Sequence, residues 1–362
     1  MYDSIFVGGR WRTFNTHLPT GYNGNQLYPM VLGLHPLGNS SWTEFAAQTK
    51  LTPKSDSASF IMVYPEGVKS GMGRSWNAGT CCGGAQTQNI DDVGFINTLL
   101  DTLINRYKVD STRIYATGFS NGALMTFRLA DQLAQRFAAV AIVGGALIYS
   151  PWNPAKTVPI MSIHSYADQV IAYNGNTSPM LGTFPSQENV YNTVNAKYNC
   201  LNSKDTVFYN SSSYTHIIYT DCPCNASIER YVTQDGSHSW PGGAANGPFP
   251  ISNKINATYI IWNFFKKYTN DCAVTKTEDA QKTNESVFSY FPNPVRDALT
   301  VLAKQQGKLL IYNQLGTKIT EVPLLESETI VPCDHLASGV YTLQFLNKVG
   351  MPISVKKLIV LK

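Results

Sequence analysis

In the first 270 positions the apolar residues come as short continuous runs separated by stretches of helical period; beyond that they alternate with polar ones. Pro29–Leu34, Phe60–Tyr64, Val158–Ile163 and Ile228–Thr233 read as buried strands. Asp92–Tyr107 carries Val93, Ile96, Leu99, Leu100 and Leu103 at helical spacing, Asn121–Phe137 reads as a second helix, and Ala257–Tyr268 closes the region with Ile260, Ile261, Phe264 and Phe265 on one face. Strands alternating with helices predict an α/β fold around a mostly parallel sheet. After Asp271 the chain turns polar, so 273–288 reads as a linker between a first domain, 1–272, and a second, 289–362. In the second, Ala298–Leu302, Lys308–Tyr312 and Val340–Phe345 alternate between turn signals, which predicts a small all-β sandwich. The length of 362 residues agrees with two cores, since single cores stop growing at about 250–300 residues.

One junction carries chemistry. The strand-like run from Val109 feeds into Gly118-Phe-Ser120-Asn-Gly122, and an amphipathic stretch follows. A serine on such a strand–turn–helix corner is presented as a nucleophile, and glycines on either side let strand and helix cross closely. A bare hydroxyl is scarcely nucleophilic at neutral pH, so a base and an orienting acid must accompany it. In an α/β-hydrolase they follow the serine in the order acid, then histidine. His238 lies in a Gly/Pro-rich loop directly after the run Ile228–Thr233 and is the expected base. His216 sits inside an alternating strand, and His164 reads as support for a turn. Asp168, just past Val158–Ile163, is the expected acid, whereas helix capping accounts for Asp91 and Asp92. The strand Pro29–Leu34 ends in His35-Pro36-Leu37-Gly38; Pro36 has no N–H, so Leu37 and Asn121 are the expected oxyanion donors.

Six segments, Leu34-His-Pro-Leu-Gly38, Ser75-Trp76-Asn-Ala-Gly-Thr-Cys81-Cys82-Gly83, Asp91-Asp92-Val-Gly-Phe-Ile96, Thr117-Gly-Phe-Ser-Asn-Gly122, His164-Ser-Tyr-Ala-Asp168 and His238-Ser-Trp-Pro-Gly242, resemble the polyhydroxybutyrate-depolymerase-like esterases. That group includes secreted feruloyl and acetylxylan esterases of carbohydrate esterase family 1. The likeness runs from about Ser4 to Tyr268, with Pro36 and Ser165 standing where the family usually has glycine. It implies a serine carboxylesterase without metal or cofactor, acting on feruloyl or acetyl esters of plant polysaccharide; the rival reading is a depolymerase of polyhydroxyalkanoate or aromatic polyester. Tyr290-Phe-Pro-Asn-Pro294, Ser338-Gly-Val-Tyr341 and the ending Lys356–Lys362 resemble the C-terminal sorting domain of the type IX secretion system. That likeness implies the secretion machinery as partner and a secreted or surface location in a Gram-negative bacterium; a carbohydrate-binding sandwich is the rival.

Composition narrows the picture. Only 14% of residues are charged, with a net charge of +4 and no basic stripe, which argues against nucleic acid as a partner. The longest apolar stretch, Phe137–Tyr149, is too short to span a bilayer. No charged-then-apolar segment opens the chain, so an export leader is expected to be missing from it. Six of the seven cysteines precede residue 273, which fits disulfides in an oxidising compartment, with Cys81 and Cys82 each expected to pair with a distant partner. Trp76, in the distinctive block, and Trp240, two residues beyond His238, are the expected aromatic contacts to substrate.

Overall fold

A computed structural model describes residues 1–38, 41–71, 73–200, 203–209, 214–245, 247–270, 288–303, 305–313, 317–324, 327–348 and 352–362. The chain divides into two compact units, Met1–Val274 and Thr275–Lys362. The linker expected over 273–288 falls outside the described residues except for Phe288, which opens a strand.

The first unit is built on a ten-stranded sheet. Its strands are β1 (Tyr2–Val7), β2 (Arg10–His17), β3 (Tyr28–Leu34), β4 (Ile61–Pro65), β5 (Val109–Phe119), β6 (Ala139–Val143), β7 (Ile160–Ser165), β8 (Ser203–Tyr209), β9 (Tyr214–Cys222) and β10 (Ala226–Thr233), in the order β1-β2-β4-β3-β5-β6-β7-β10-β9-β8. The six strands from β4 to β10 in that order are parallel. The outer pairs at both edges are antiparallel. Every residue of β3, β4 and β6 is buried, as strands covered on both faces require. Successive side chains serve opposite faces: Met30, Leu32 and Leu34 pack with the helices Asp92–Arg106, Asn121–Gln132 and Gln187–Tyr198, while Val31 packs with Trp42–Thr49 and Ala257–Phe265.

The hairpin β1–β2 and the strand β8 extend the parallel core without any signal of their own in the run pattern, whereas β9 contains the alternating strand expected around His216. The helix expected over 121–137 ends at Gln132, because the chain must leave the helix for the Ala138 N–H to reach the Ile114 carbonyl and enter β6. Cys81 and Cys82 are joined to each other, which corrects the expected distant pairing; Cys200 and Cys222 are already taken, bonded to one another. Cys224 is disulfide-bonded too, and Cys333 is the free cysteine among the described residues.

The second unit has two antiparallel sheets. One orders Phe288–Phe291, Ala298–Ala303 and Ser327–Pro332; the other orders Lys318–Leu324, Gly307–Tyr312, Gly339–Asn347 and Pro352–Val360. Leu299, Val301 and Val331 from the first meet Leu309, Ile311, Leu343 and Phe345 from the second in one core, as the period of two predicts.

Candidate active site

Strand β5 sits near the middle of the parallel sheet and delivers Ser120 at its carboxyl end, where the helix Asn121–Gln132 begins. Ser120 adopts φ 54° and ψ −121°, a conformation that L residues rarely hold. The crossing is close: a Cβ on Gly118 would lie 2.3 Å from the Gly122 carbonyl oxygen, and one on Gly122 would lie 2.1 Å from that of Leu34. Glycine is therefore required at both places. Behind the turn the Ser120 N–H donates to the Val143 carbonyl at 3.0 Å, tying it to the neighbouring strand.

Two strands along, the loop after β7 carries Asp168 and the loop after β10 carries His238. His238 Nδ1–H donates to Asp168 Oδ2 at 2.8 Å, and the N–H groups of Val170 and Ile171 donate to Oδ1 at 2.9 Å each. Burial pushes the Asp168 carboxyl up, but the hydrogen bond and charge of His238, with His164 and the Ile171 N–H, outweigh it and hold the group below its ordinary value. With Nδ1 engaged, His238 Nε2 is left as the lone-pair nitrogen; it is buried and makes no hydrogen bond among the described residues. Ser120 and His238 line one cavity of about 320 Å³. His164 lies beneath Asp168 and bonds the Ile171 carbonyl at 2.8 Å, holding the turn as expected; burial lowers its pKa.

The loop after β3 is braced from below. His35 Nε2 accepts from the Gly67 N–H at 2.9 Å, so its Nδ1–H donates to the Pro36 carbonyl at 2.7 Å. Burial drives this imidazole down to about 4, which keeps it neutral in that role. The bracing continues through Trp76, whose Nε1–H donates to the His35 carbonyl at 3.0 Å. Asn121 closes the circuit: its Oδ1 accepts from the Trp76 N–H at 2.7 Å, and its Nδ2 donates to the Trp76 carbonyl at 3.0 Å. Asn121 occupies the first helical position, so its own N–H has no intrahelical acceptor, and Leu37 lines the cavity opposite. The adjacent Asn77 N–H donates at 2.7 Å to Asp92, which pairs at 2.6 Å with the buried Arg12. Of the two aspartates expected to cap the helix, Asp91 does so and Asp92 instead anchors this loop.

The expectation for the tryptophans is not met. Trp76 and Trp240 are 0% and 1% exposed, and neither lines the cavity. Trp76 is spent on the bracing just described. Trp240 turns away from His238 into the core, edge-on to Phe45, with Nε1–H donating to the Thr258 hydroxyl at 2.9 Å. The apolar walls are instead Pro36, Leu37, Phe119, Val170, Leu181 and Phe249, with Gln48 among them. Phe119 and Phe249 flank the His238 ring at 4.9 and 6.0 Å. Of these, Val170, Leu181 and Phe249 are lone apolar residues in loops, which carry no sequence signal, and so were missed. Among the described residues no cluster of His, Cys, Asp or Glu could hold a metal ion, and no helix is long and apolar enough to cross a membrane.

Residues 13–180 match the family described as esterase PHB depolymerase. Over these residues the chain is similar to an esterase PHB depolymerase domain. Residues 289–361 match the secretion system C-terminal sorting domain. Feruloyl esterase B of Piromyces equi is 33% identical over 45% of this chain and 30% of its own length. A putative esterase of Nocardia uniformis is 26% identical over 66% of this chain and 73% of its own. A bifunctional acetylxylan esterase/xylanase of Neocallimastix patriciarum is 25% identical over 74% of this chain and 35% of its own. The chain thus spans about a third of two of these relatives, which carry further domains or sequence it does not match.

Proposed function

We propose that the first unit is a secreted serine carboxylesterase that cleaves feruloyl or acetyl esters of plant polysaccharide through Ser120, His238 and Asp168. The observation that carries this reading is His238: one nitrogen is committed to Asp168, the other is bare and buried, and the ring lines the same cavity as Ser120. Ser120 Oγ attacks the ester carbonyl as His238 Nε2 takes its proton, and Asp168 stabilises the imidazolium formed. The N–H groups of Leu37 and Asn121 receive the oxyanion. Collapse expels the alcohol, protonated by His238, and leaves an acyl group on Ser120. Water, deprotonated by His238 in turn, then releases the acid. The relatives named for feruloyl and acetylxylan ester cleavage support the substrate class, and the sorting-domain match supports export through a type IX system to the surface of a Gram-negative cell. In this reading 1–272 catalyses, 273–288 links, and 289–362 is the export signal.

The test is Ser120→Ala, which should lower kcat roughly a million-fold, as loss of a nucleophile does in a triad hydrolase. Retention of most activity on a p-nitrophenyl ester would sink the proposal. Rates on feruloylated xylan fragments, acetylated xylan and hydroxybutyrate oligomers, measured side by side, decide the ester; a preference for the last would favour a polyester depolymerase.

A further inference from the structure

Gln48 is an anomaly in the cavity wall. It sits one residue from the end of the helix Trp42–Thr49, is 4% exposed, and lines the same cavity as Ser120 and His238. Its side-chain oxygen Oε1 is buried and makes no hydrogen bond among the described residues. Buried polar atoms are almost always paired, because leaving one bare forfeits its hydration with nothing in return. Nor can the backbone drift to relieve it. The Gln48 carbonyl accepts from the Ala244 N–H at 2.8 Å, and the Thr49 carbonyl accepts from the Thr258 hydroxyl, to which Trp240 donates. Gly243 packs so tightly there that a Cβ would fall 2.4 Å from the Gln48 carbonyl oxygen. The helix end is thus pinned to the chain leaving His238, which fixes Gln48 in the cavity wall.

A carbonyl oxygen can only accept, so whatever satisfies Gln48 must bring a donor. The ester group itself offers none, since both of its oxygens are acceptors. Apart from Ser120 and His238 the residues that line the cavity with Gln48 are apolar, and Oε1 bonds to neither of those two. We infer that Gln48 is a specificity-determining residue that accepts a hydrogen bond from a hydroxyl group borne by the bound ester. This rests on the serine-esterase reading and narrows it: the substrate carries a hydroxyl besides the ester bond, on the acyl ring or on the sugar. An interior unit of a polyester carries none.

Three esters separate the sources when assayed with the full-length protein. Methyl cinnamate has no hydroxyl, methyl 4-hydroxycinnamate has one on the acyl side, and a cinnamoyl ester of xylose has them on the alcohol side. Gln48→Met keeps the length and removes the acceptor. It should lower kcat/KM for one hydroxylated ester, relative to methyl cinnamate, by roughly ten- to a hundred-fold. A loss confined to the 4-hydroxycinnamate assigns the acyl side, and a loss confined to the xylose ester assigns the sugar side. An equal change on all three esters, or on none, overturns the inference. Should the variant fail to fold, competitive inhibition of the wild type by cinnamate, 4-hydroxycinnamate and xylose carries the test. Tighter inhibition by 4-hydroxycinnamate than by cinnamate, or measurable inhibition by xylose, supports the inference; the absence of both overturns it. Ser120→Ala, run on the same esters, keeps the two questions apart: survival of its rates strikes the esterase reading itself, whatever Gln48 does.

Discussion

In the first unit Arg12, Glu66, Asp92, Asp168, Glu229 and Arg230 are all buried, while the described residues of the second unit bury apolar side chains and one thiol, Cys333. Both units have dense cores, so packing alone does not explain the contrast. Buried charge weakens a fold unless it is fully paired, and in the first unit one such pair opens a chain of hydrogen bonds that ends beside Ser120. Arg12 holds Asp92, Asp92 holds Asn77, and the adjacent Trp76 is held by Asn121 and holds His35. On the proposed reading, the first unit gives up stability to fix a reacting geometry. A core like that of the second unit fixes only a shape, which suits a module recognised from outside.

The sharpest break would come at Asp168. Asp168→Asn should leave the protein folded and lower kcat by roughly ten-thousand-fold, since the amide would favour the wrong His238 tautomer. A fall of less than tenfold in kcat would mean that the site is not organised for catalysis. Next, Asp92→Ala strands the buried Arg12 and should destabilise the first unit by about 3–5 kcal/mol, with a drop in kcat/KM as the Trp76 loop loosens. Leu309→Ala should destabilise the second unit by about 2–5 kcal/mol and leave ester hydrolysis untouched. Denaturant titrations paired with assays check both, and equal kinetic effects would erase the contrast between the units.

Acid gives a further distinction. Folded His35 stays neutral down to about pH 4, whereas the unfolded chain takes up its proton near 6.5. The stability it contributes is therefore whole above 6.5 and lost as pH falls toward 4, a change of about 3 kcal/mol. His164 is shifted in the same direction and adds to it. The advantage of the wild type over His35→Gln should shrink across that window in urea unfolding of the first unit; a constant gap would show that His35 protonates freely. The smallest effect expected is none: a chain cut after Val274 should hydrolyse soluble esters at the full-length rate. If the cut abolished binding to insoluble xylan, the second unit would be a substrate-binding module.

What the sequence made readable, and what it hid, follows the same physics. Ser120 stood out because a strained turn between strand and helix demands glycines at fixed offsets, and Asp168 and His238 followed because loops after parallel strands open on one edge. Three strands of the second unit, Ala298–Ala303, Gly307–Tyr312 and Gly339–Asn347, were readable from their period of two. The bracing was not: Asn121 meets Trp76 across 45 positions and Arg12 meets Asp92 across 80, and no local pattern encodes such meetings. Trp240 misled because nearness in sequence to His238 fixes the backbone and leaves open which way the indole turns. Gln48 was silent for the opposite reason, since a glutamine on a short helix looks like surface until its neighbours are known.

The backbone of Ser120 has a consequence for how this protein can change over generations. Its dihedral angles, comfortable for glycine, cost a serine about 1–3 kcal/mol. Exchange of this one residue for glycine would relax the turn and, on the proposed reading, leave the protein sturdier for having lost its reaction. Drift and selection for stability thus push the position the same way, and only continued use of the hydroxyl pushes back. In a lineage that no longer met its ester, residue 120 is the place where disuse would first become visible.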